Sequence, residues 1–291
     1  MPTGPTTTGS LTDSLPYVIA GARIVREEKG IYQRTTDAQT LSEGDGLDWN
    51  EIALAQLAAQ AITETTTLNN PQQIQDTVFS VTPRVSGIHM KITDRTQRRI
   101  SKAVWAKTGG LAQNAMQRKK DEDYLAMFAT FTTNLGGTGA PLQSGHIASA
   151  VARITGNTTE TSDDVINTIL HGFQVKDLRD EIVAGVGTYA IPAGMTADVF
   201  RKGFAGMVEG SNVWTDGNIT INGTPDARGA THAKEAVVLV QGHSLKRETR
   251  RAPDYGGGAD ELFIYDEYQL GERSAGNWAY SHLTDATVPT S

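Results

Sequence analysis

The sequence contains no cysteine, and this absence excludes several kinds of site. Without thiols the chain cannot form disulfides, thiolate zinc centres or iron–sulfur clusters, and it has no cysteine nucleophile. No apolar run approaches the ~18 residues that a membrane span requires. The first residues, MPTGPT, lack the basic region and apolar stretch of a signal peptide. We therefore expect a soluble protein that is made in the cytosol.

Basic residues are fewer than acidic ones, 26 against 33, and the net charge of −7 argues against a dedicated DNA-binding domain. The charge is unevenly distributed. The window Asp94–Lys120 holds eight basic residues and one acidic residue, a net charge of +7, so the rest of the chain carries −14. Such a window is typical of a surface that faces nucleic acid or an acidic neighbour, and equally of a solvated helix face.

Enough apolar material is present for a sizeable core, since 38% of the 291 residues are hydrophobic. At ~150 residues a domain, the length corresponds to about two domains. Threonine makes up roughly one residue in eight, which favours strands and loops over helices. The Thr/Pro/Gly-rich start predicts an arm of ~30 residues, and its short apolar run at 17–20 is expected to dock on another surface.

Residues 31–87 are predicted to form a projecting segment, called the excursion below, that consists of two long strands. Hydrophobic and polar residues alternate with period two over Leu47–Ile52 and again over Asp76–Val85, and turn signals surround both segments. The Ala/Leu-rich stretch Ile52–Ile62 has helical propensity, so we expect a helical turn at the tip.

A long helix is predicted next, and short helices and strands follow it to the end of the chain. Asp94 and Gln97 have the spacing of a capping box at its start. Gly109-Gly110 predicts a bend or a helix boundary, because each interior glycine costs about 1 kcal/mol relative to alanine. Beyond it, the helix face is marked by an aromatic and apolar stripe: Tyr124, Met127, Phe128 and Phe131.

No motif points to an enzyme, a cofactor or a metal. Gly136–Gly139 lacks the Gly-Lys-Ser/Thr ending of a phosphate loop and follows a helix. Ion pairing within one helix explains the acidic cluster Asp121–Asp123. The cluster Asp163–Asp164 fits the start of a helix or strand. There is no Gly-x-Ser-x-Gly elbow. The six histidines lack the spacing of a helical zinc site: His89, His146, His171, His232, His243 and His282.

The order of these segments resembles that of the major capsid proteins of tailed double-stranded DNA phages, which have the Hong Kong 97-like fold. Thr40–Ile52 looks like the ascending half of that family's extended loop, and Leu68–Pro83 looks like its return strand. Gly87–Asp94 is similar to the strand that leads into the helical region. The helix to Phe131 looks like the spine helix, and Leu170–Leu178 resembles a later strand-to-helix segment.

The resemblance implies an α+β fold with five parts. These are an N-terminal arm at 1–32, an extended β-hairpin loop at 33–87, a peripheral domain with the spine helix at 88–142, a mainly axial domain at 143–235, and strands returning to both domains at 236–291. It implies self-assembly into hexamers and pentamers of an icosahedral shell around packaged double-stranded DNA, inside a virion assembled in the host cytoplasm. Portal, scaffold and decoration proteins are further expected partners, and no membrane is involved.

Two sets of residues are expected to serve this function. The inter-subunit contacts are expected at apolar residues of the arm and loop: Tyr17, Val18, Ile19, Trp49, Leu57, Ile62, Leu68 and Phe79. The DNA-facing positions are expected in the basic window: Arg98, Arg99, Lys102, Lys107, Arg118, Lys119 and Lys120.

Two alternatives remain at this point. An encapsulin-like nanocompartment shell has the same fold without a DNA cargo. Another phage structural protein, such as a tail or decoration component, is disfavoured because a long helix followed by mixed α/β elements does not suit a fibre-like β architecture.

The loop lacks the nucleophile that some members of the family use to crosslink their subunits through a lysine and an asparagine. No lysine lies between Lys29 and Lys91. We therefore predict a non-covalent shell. Particles boiled in denaturing detergent should run on a gel as monomers of ~31 kDa, and a ladder of covalent multimers would contradict this prediction.

Overall fold

The computed structural model describes residues 30–59, 61–64, 71–99, 102–158, 160–186 and 206–290, and at 102–108 and 182–186 it describes the backbone only. The helices in these ranges are α1 Tyr32–Thr35, α2 Asp94–Arg99, α3 Lys102–Met127, α4 Ser144–Thr155 and α5 Gly172–Val186. The strands are β1 Asp37–Thr40, β2 Trp49–Leu54, β3 Asp76–Val81, β4 Arg84–Thr93, β5 Ile166–Leu170, β6 Met207–Val208, β7 Ser211–Thr215, β8 Asp226–Ala233, β9 Val237–Ala252, β10 Ala259–Glu272 and β11 Ala279–Asp285. The sequence also predicts a helix over residues 195–204, which lie outside the described ranges.

The described strands form two sheets and a separate hairpin. The first sheet has the order β1-β9-β10-β4 and is antiparallel except for the β1–β9 pair. The second sheet has the order β11-β8-β5-β7-β6, with β5 and β7 parallel. The hairpin pairs β2 with β3 in antiparallel register, from Trp49 opposite Val81 to Leu54 opposite Asp76.

The expected pair of long strands is confirmed by this hairpin, whereas the described part of the Ala/Leu-rich stretch is not helical. Ile52 lies within β2, and residues 55–59 and 61–63 have no regular secondary structure. Ala55 donates its N–H to the Gln75 carbonyl across the hairpin at 2.8 Å. Pairing with the returning chain therefore overrides the helical propensity of the Ala/Leu-rich stretch. Because β1 pairs with β9, the projecting part begins only after Thr40.

The long helix is confirmed, but the predicted helix boundary at Gly109-Gly110 is wrong. α3 runs without a break for 26 residues, from Lys102 to Met127. The side chains that follow Gly109-Gly110 explain this continuity. Ala112 and Met116 pack against Ile264 of β10, which offsets the cost of the two glycines. The helix ends at Met127, where the N–H groups of residues 128–130 bond to carbonyls three residues back.

The predicted cap at Asp94 is also wrong, since the neighbouring threonine takes that role. The Thr93 hydroxyl accepts the N–H of Thr96 at 3.4 Å, the geometry of an N-cap residue and the third helical residue. Asp94 instead accepts two hydrogen bonds from Arg251 of β9, each at 2.5 Å. The Arg251 guanidinium holds the pKa of this carboxyl below its usual range. α2 is therefore fastened to the first sheet by its first residue.

The main core surrounds the second half of α3, as the aromatic stripe predicts. Tyr124, Phe128 and Phe131 are buried among residues from both sheets and α4. Within this core the Thr35 hydroxyl donates to the Tyr124 oxygen at 2.9 Å. The Tyr124 oxygen lies 2.6 Å from Nε2 of His232, whose Nδ1 lies 2.8 Å from the Ala233 carbonyl. An Nδ1–H tautomer satisfies every group in this chain.

A second buried polar chain crosses the five-stranded sheet. The Thr168 hydroxyl lies 2.6 Å from that of Ser211 and 2.8 Å from that of Thr231, and Thr231 lies 2.7 Å from Nε2 of His282. These four residues belong to β5, β7, β8 and β11, so the chain links four neighbouring strands by their side chains. Each residue is fully buried. This use accounts for part of the threonine content, because buried hydroxyls need such partners.

The two buried histidines predict that stability falls in acid. Burial lowers the pKa of both His232 and His282 to about 4, while an unfolded histidine titrates near 6.5. Above pH 6.5 both histidines are neutral in the folded chain and in the unfolded chain, so they do not make the free energy of unfolding depend on pH. Between pH 6.5 and 4 only the unfolded chain binds the protons, so the free energy of unfolding should fall by about 3 kcal/mol for each histidine.

Urea unfolding of the chain between pH 7.5 and 4.5 measures this effect. His232→Gln should reduce the slope, because glutamine can accept the Tyr124 hydrogen bond and does not titrate. The same substitution at exposed His243 is the control. Equal slopes for the wild-type chain and His232→Gln would contradict the assignment.

Candidate assembly surface

One arginine anchors the base of the β2–β3 hairpin to the body of the protein. Arg273 follows β10 and donates Nε–H to Glu51 of β2 at 2.7 Å and Nη1–H to Asp37 of β1 at 2.8 Å. The same Nη1 reaches the Glu235 carbonyl at 3.1 Å, and the guanidinium lies 5.6 Å from the centre of the Trp49 ring. Its side chain is only 13% exposed, so these contacts are shielded from solvent.

Apolar packing completes the anchor. The rings of Trp49 and Phe79 meet edge to face, with centroids 6.2 Å apart, and both pack with Val81 against β9. Gly271 is required for this approach. A Cβ atom there would lie 2.6 Å from the Val81 side chain and 2.8 Å from that of Phe79, closer than packed atoms can come.

The opposite face of the hairpin exposes three large apolar side chains. Ile52 and Val78 stand opposite each other, and Leu54 shares their face, since residues two apart along a strand point the same way. These three side chains are 62%, 62% and 70% exposed, and the same face also carries the polar residues Asn50, Ser80 and Asp76. Further along the excursion Leu57, Ile62 and Ile74 are exposed as well. Exposed apolar side chains grouped in this way, rimmed by polar residues, are typical of an interaction surface.

The expected contact residues therefore divide into two groups. Leu57 and Ile62 lie on the exposed part of the excursion, whereas Trp49 and Phe79 are half-buried against their own chain. The remaining four lie outside the described residues: Tyr17, Val18, Ile19 and Leu68. The prediction missed Ile52, Leu54 and Val78, although the period-two pattern of each strand places them on one face.

Part of the expected DNA-facing set is neutralised within the chain. Arg118 and Lys119 form ion pairs one helical turn away, with Glu122 and Asp123 respectively. Lys120 is buried, pairs with Asp266 of β10 at 2.7 Å, and lies over the Tyr268 ring. Lys120 therefore does not present its charge to solvent. The structure describes only the backbone of Lys102 and Lys107, not their side chains.

A different set of bases lies exposed and forms no ion pair with any described residue. We call it the arginine patch, and it consists of Arg95, Arg98 and Arg99 of α2 together with Arg247 of β9. The Arg247 guanidinium lies beside α3, since a Cβ atom on Gly109 would be 3.9 Å from it. Arg247 shares a strand face with Arg251, which holds α2 through Asp94. The basic run KRETRR at 246–251 was the missed sequence signal.

Two further properties of the described residues bear on the type of site. They contain no group of three or more His, Asp or Glu side chains arranged to hold a metal ion. Among them, no helix combines the length and the apolar character needed to cross a membrane.

Comparison with known proteins shows the fold. No protein-family model matches the sequence, and no curated protein matches it. Among solved structures, the capsid of Ralstonia phage GP4 matches with a TM-score of 0.71 at 13% identity, over 100% of both chains. The capsid of cyanophage Pam1 matches with a TM-score of 0.71 at 11% identity, over 99% of this chain and 100% of that one.

The capsid of cyanophage P-SCSP1u also matches, with a TM-score of 0.70 at 12% identity over 97% of this chain and 96% of that one. The chain therefore has the α+β fold of the major capsid proteins of tailed phages, the Hong Kong 97-like fold. At these identities the likeness is one of fold.

The anchor predicts that Arg273→Ala loosens the hairpin while the body stays folded. The variant loses two charge-assisted hydrogen bonds, so the hairpin base should be destabilised by about 2 kcal/mol. Hydrogen exchange should then accelerate in β2 and β3 and remain unchanged in β8 and β11. Lys176→Ala, which removes an exposed ion pair with Asp180, is the control and should cost less than about 0.5 kcal/mol. Unchanged exchange in β2 and β3 would refute the anchoring role.

Proposed function

We propose that this chain is a major capsid protein that assembles into hexamers and pentamers of an icosahedral phage head. The observation that carries the proposal is the match with several phage capsid chains over nearly the whole length of both partners. The role is structural rather than enzymatic, and the shell is held together by non-covalent contacts. The location is the virion, after assembly in the host cytoplasm.

The structural parts can be assigned on this basis. The first sheet with α2 and α3 corresponds to the peripheral domain, in which α3 is the spine helix. The second sheet with α4 and α5 corresponds to the axial domain. The hairpin β2–β3 is the extended loop, and most of the N-terminal arm expected at 1–32 lies outside the described residues. The strands after 236 serve both domains, since β9 and β10 join the first sheet and β11 the second.

The exposed apolar face of the hairpin supports the assembly. A hairpin of two strands is marginal in water unless its apolar face is covered. In a shell of identical subunits, a neighbouring copy supplies that cover. Ile52, Leu54, Val78 and the residues near the tip are thus assigned to contacts between subunits, while Trp49 and Phe79 hold the hairpin to its own body.

The proposed content of the shell is double-stranded DNA, bound without sequence preference. Since Arg118, Lys119 and Lys120 have acidic partners in their own chain, the DNA-facing prediction narrows to Arg98, Arg99, Lys102 and Lys107. A portal, a scaffold and decoration proteins are proposed as further partners.

Electron microscopy of particles purified from bacteria that express the chain tests the function. The expected result is closed shells, and nuclease-protected DNA when packaging partners are present. Closed shells that hold protein cargo and never DNA would favour an encapsulin-like compartment. Fibres, or a chain that stays monomeric, would overturn the proposal.

A further inference from the structure

The loop between Ile221 and Ala227 folds one asparagine side chain back on its own backbone. Asn222 is followed by Gly223, and no other asparagine of the chain precedes a glycine. Ile221 and Ala227 form an antiparallel bridge, and the Asn222 N–H donates to the Asp226 carbonyl at 2.9 Å. The loop is therefore a closed turn, within which Asn222 and Gly223 are exposed.

Hydrogen bonds polarise the side-chain carbonyl of Asn222. Its Oδ1 accepts the N–H of Thr224 at 3.0 Å and the N–H of Asp226 at 2.8 Å. The Thr224 hydroxyl also lies 2.9 Å from this oxygen and 2.9 Å from Oδ2 of Asp226. The amide nitrogen Nδ2, by contrast, forms no hydrogen bond with any described residue. Donors aimed at a carbonyl oxygen stabilise the negative charge that develops there when a nucleophile adds to the carbon.

The backbone nitrogen of Gly223 is the nucleophile nearest to this carbonyl in the chain. Because Oδ1 bonds an N–H two residues further on, the side chain of Asn222 curls over the peptide bond between them. This conformation brings Cγ to the side of the intervening nitrogen. Gly223 has no Cβ to hinder the approach, and its surroundings are open, since an added Cβ would meet no atom within 4 Å. Electrophile, nucleophile and leaving group thus belong to two adjacent residues.

We propose that Asn222 is a site of spontaneous modification, at which the folded chain loses ammonia and forms a succinimide with Gly223. Hydroxide takes the proton of the Gly223 N–H, and the electron pair of that nitrogen bonds to Cγ of Asn222. The Cγ–Nδ2 bond breaks, and Nδ2 leaves as ammonia with a proton from water. Addition of one water molecule opens the ring to aspartate or isoaspartate. This chemistry does not depend on the capsid function proposed above.

The product weakens the contacts that the loop makes with two other segments. Asp226 Oδ1 accepts the N–H of Gly139 at 2.8 Å, and the Pro225 carbonyl accepts the N–H of Ala286 at 2.7 Å. The Gly139 N–H holds the pKa of the Asp226 carboxyl below its usual range, so this group is a carboxylate at neutral pH. A second carboxylate at residue 222 repels it, and isoaspartate lengthens the backbone of the turn by one carbon atom. Hydrogen exchange at Gly139 and Ala286 should therefore quicken as modified chains accumulate.

Mass spectrometry of the folded chain, kept at about pH 8.5, tests the proposal. Trypsin releases residues 203–228 as one peptide, which contains Asn222 together with Asn212 and Asn218. We expect a mass increase of about 1 Da at Asn222, where an amide becomes a carboxyl group, and fragmentation of the peptide locates it. The modified fraction should be at least about tenfold greater than at Asn212 and Asn218, because the side chains that follow those two hinder ring closure.

Gly223→Ala is the informative variant, because alanine fits the open space and adds the Cβ that hinders attack. The variant should fold as the wild type does, as circular dichroism can show, and should react at least about tenfold more slowly at Asn222. Gly110→Ala is the matched control, since it also adds a methyl group in open space. Its rate at Asn222 should equal that of the wild type.

A sample digested at the start of the incubation corrects for modification during digestion. An unchanged mass at Asn222 in the folded chain would show that the proposal is wrong, and so would equal conversion at all three asparagines. Conversion that occurs only after unfolding in urea would also refute it, because the turn would then protect Asn222.

Discussion

The second half of α3 is held by buried polar contacts on three sides, and the rest of the architecture depends on them. Asp121, fully buried, accepts the N–H of Ile31 at 3.1 Å and the side-chain amide of Asn218 at 2.9 Å. Lys120 reaches the first sheet through Asp266, and Tyr124 reaches the second through His232. Removing one partner of a buried ion pair such as Lys120–Asp266 typically costs about 3–5 kcal/mol, because the other charge is left unpaired. One helix thus fixes the places of the chain entry and both sheets.

The hairpin takes no part in these buried polar contacts around α3, and different interactions hold it in place. Its base is fixed by Arg273 and by the ring pair of Trp49 and Phe79, but the apolar side chains of its outer part stay exposed. Such a segment is stable only when other surfaces cover it. The arrangement divides the described chain into a body held by its own buried contacts and a projection that, in the function proposed above, makes its contacts with other subunits.

Local patterns in the sequence correctly predicted those helices and strands whose pattern agrees with the contacts they make in the fold. The period-two segments became β2 and β3, and the stripe Tyr124–Phe131 became the buried face of the end of α3 and the turn after it. The failures involve distant contacts. Packing of Ala112 and Met116 on Ile264 stabilises α3 where it contains two glycines. Arg251 binds Asp94, and Thr93 rather than Asp94 caps α2. Contacts of 150 residues in sequence separation leave no mark on a local pattern. For the candidate surface, the acidic and apolar face of the hairpin was readable from strand alternation, whereas the arginine patch required the fold, since it joins α2 to β9.

Arg273 holds the hairpin only at its base, through Glu51 and Asp37, far from the outer end of the excursion. Fully extended, the chain from Glu51 to Glu64 would reach up to about 43 Å, so a small change of direction at the base becomes a larger displacement at the far end. In the proposed shell, the direction in which the hairpin leaves the body would therefore depend on one planar cation and the two carboxylates that it binds.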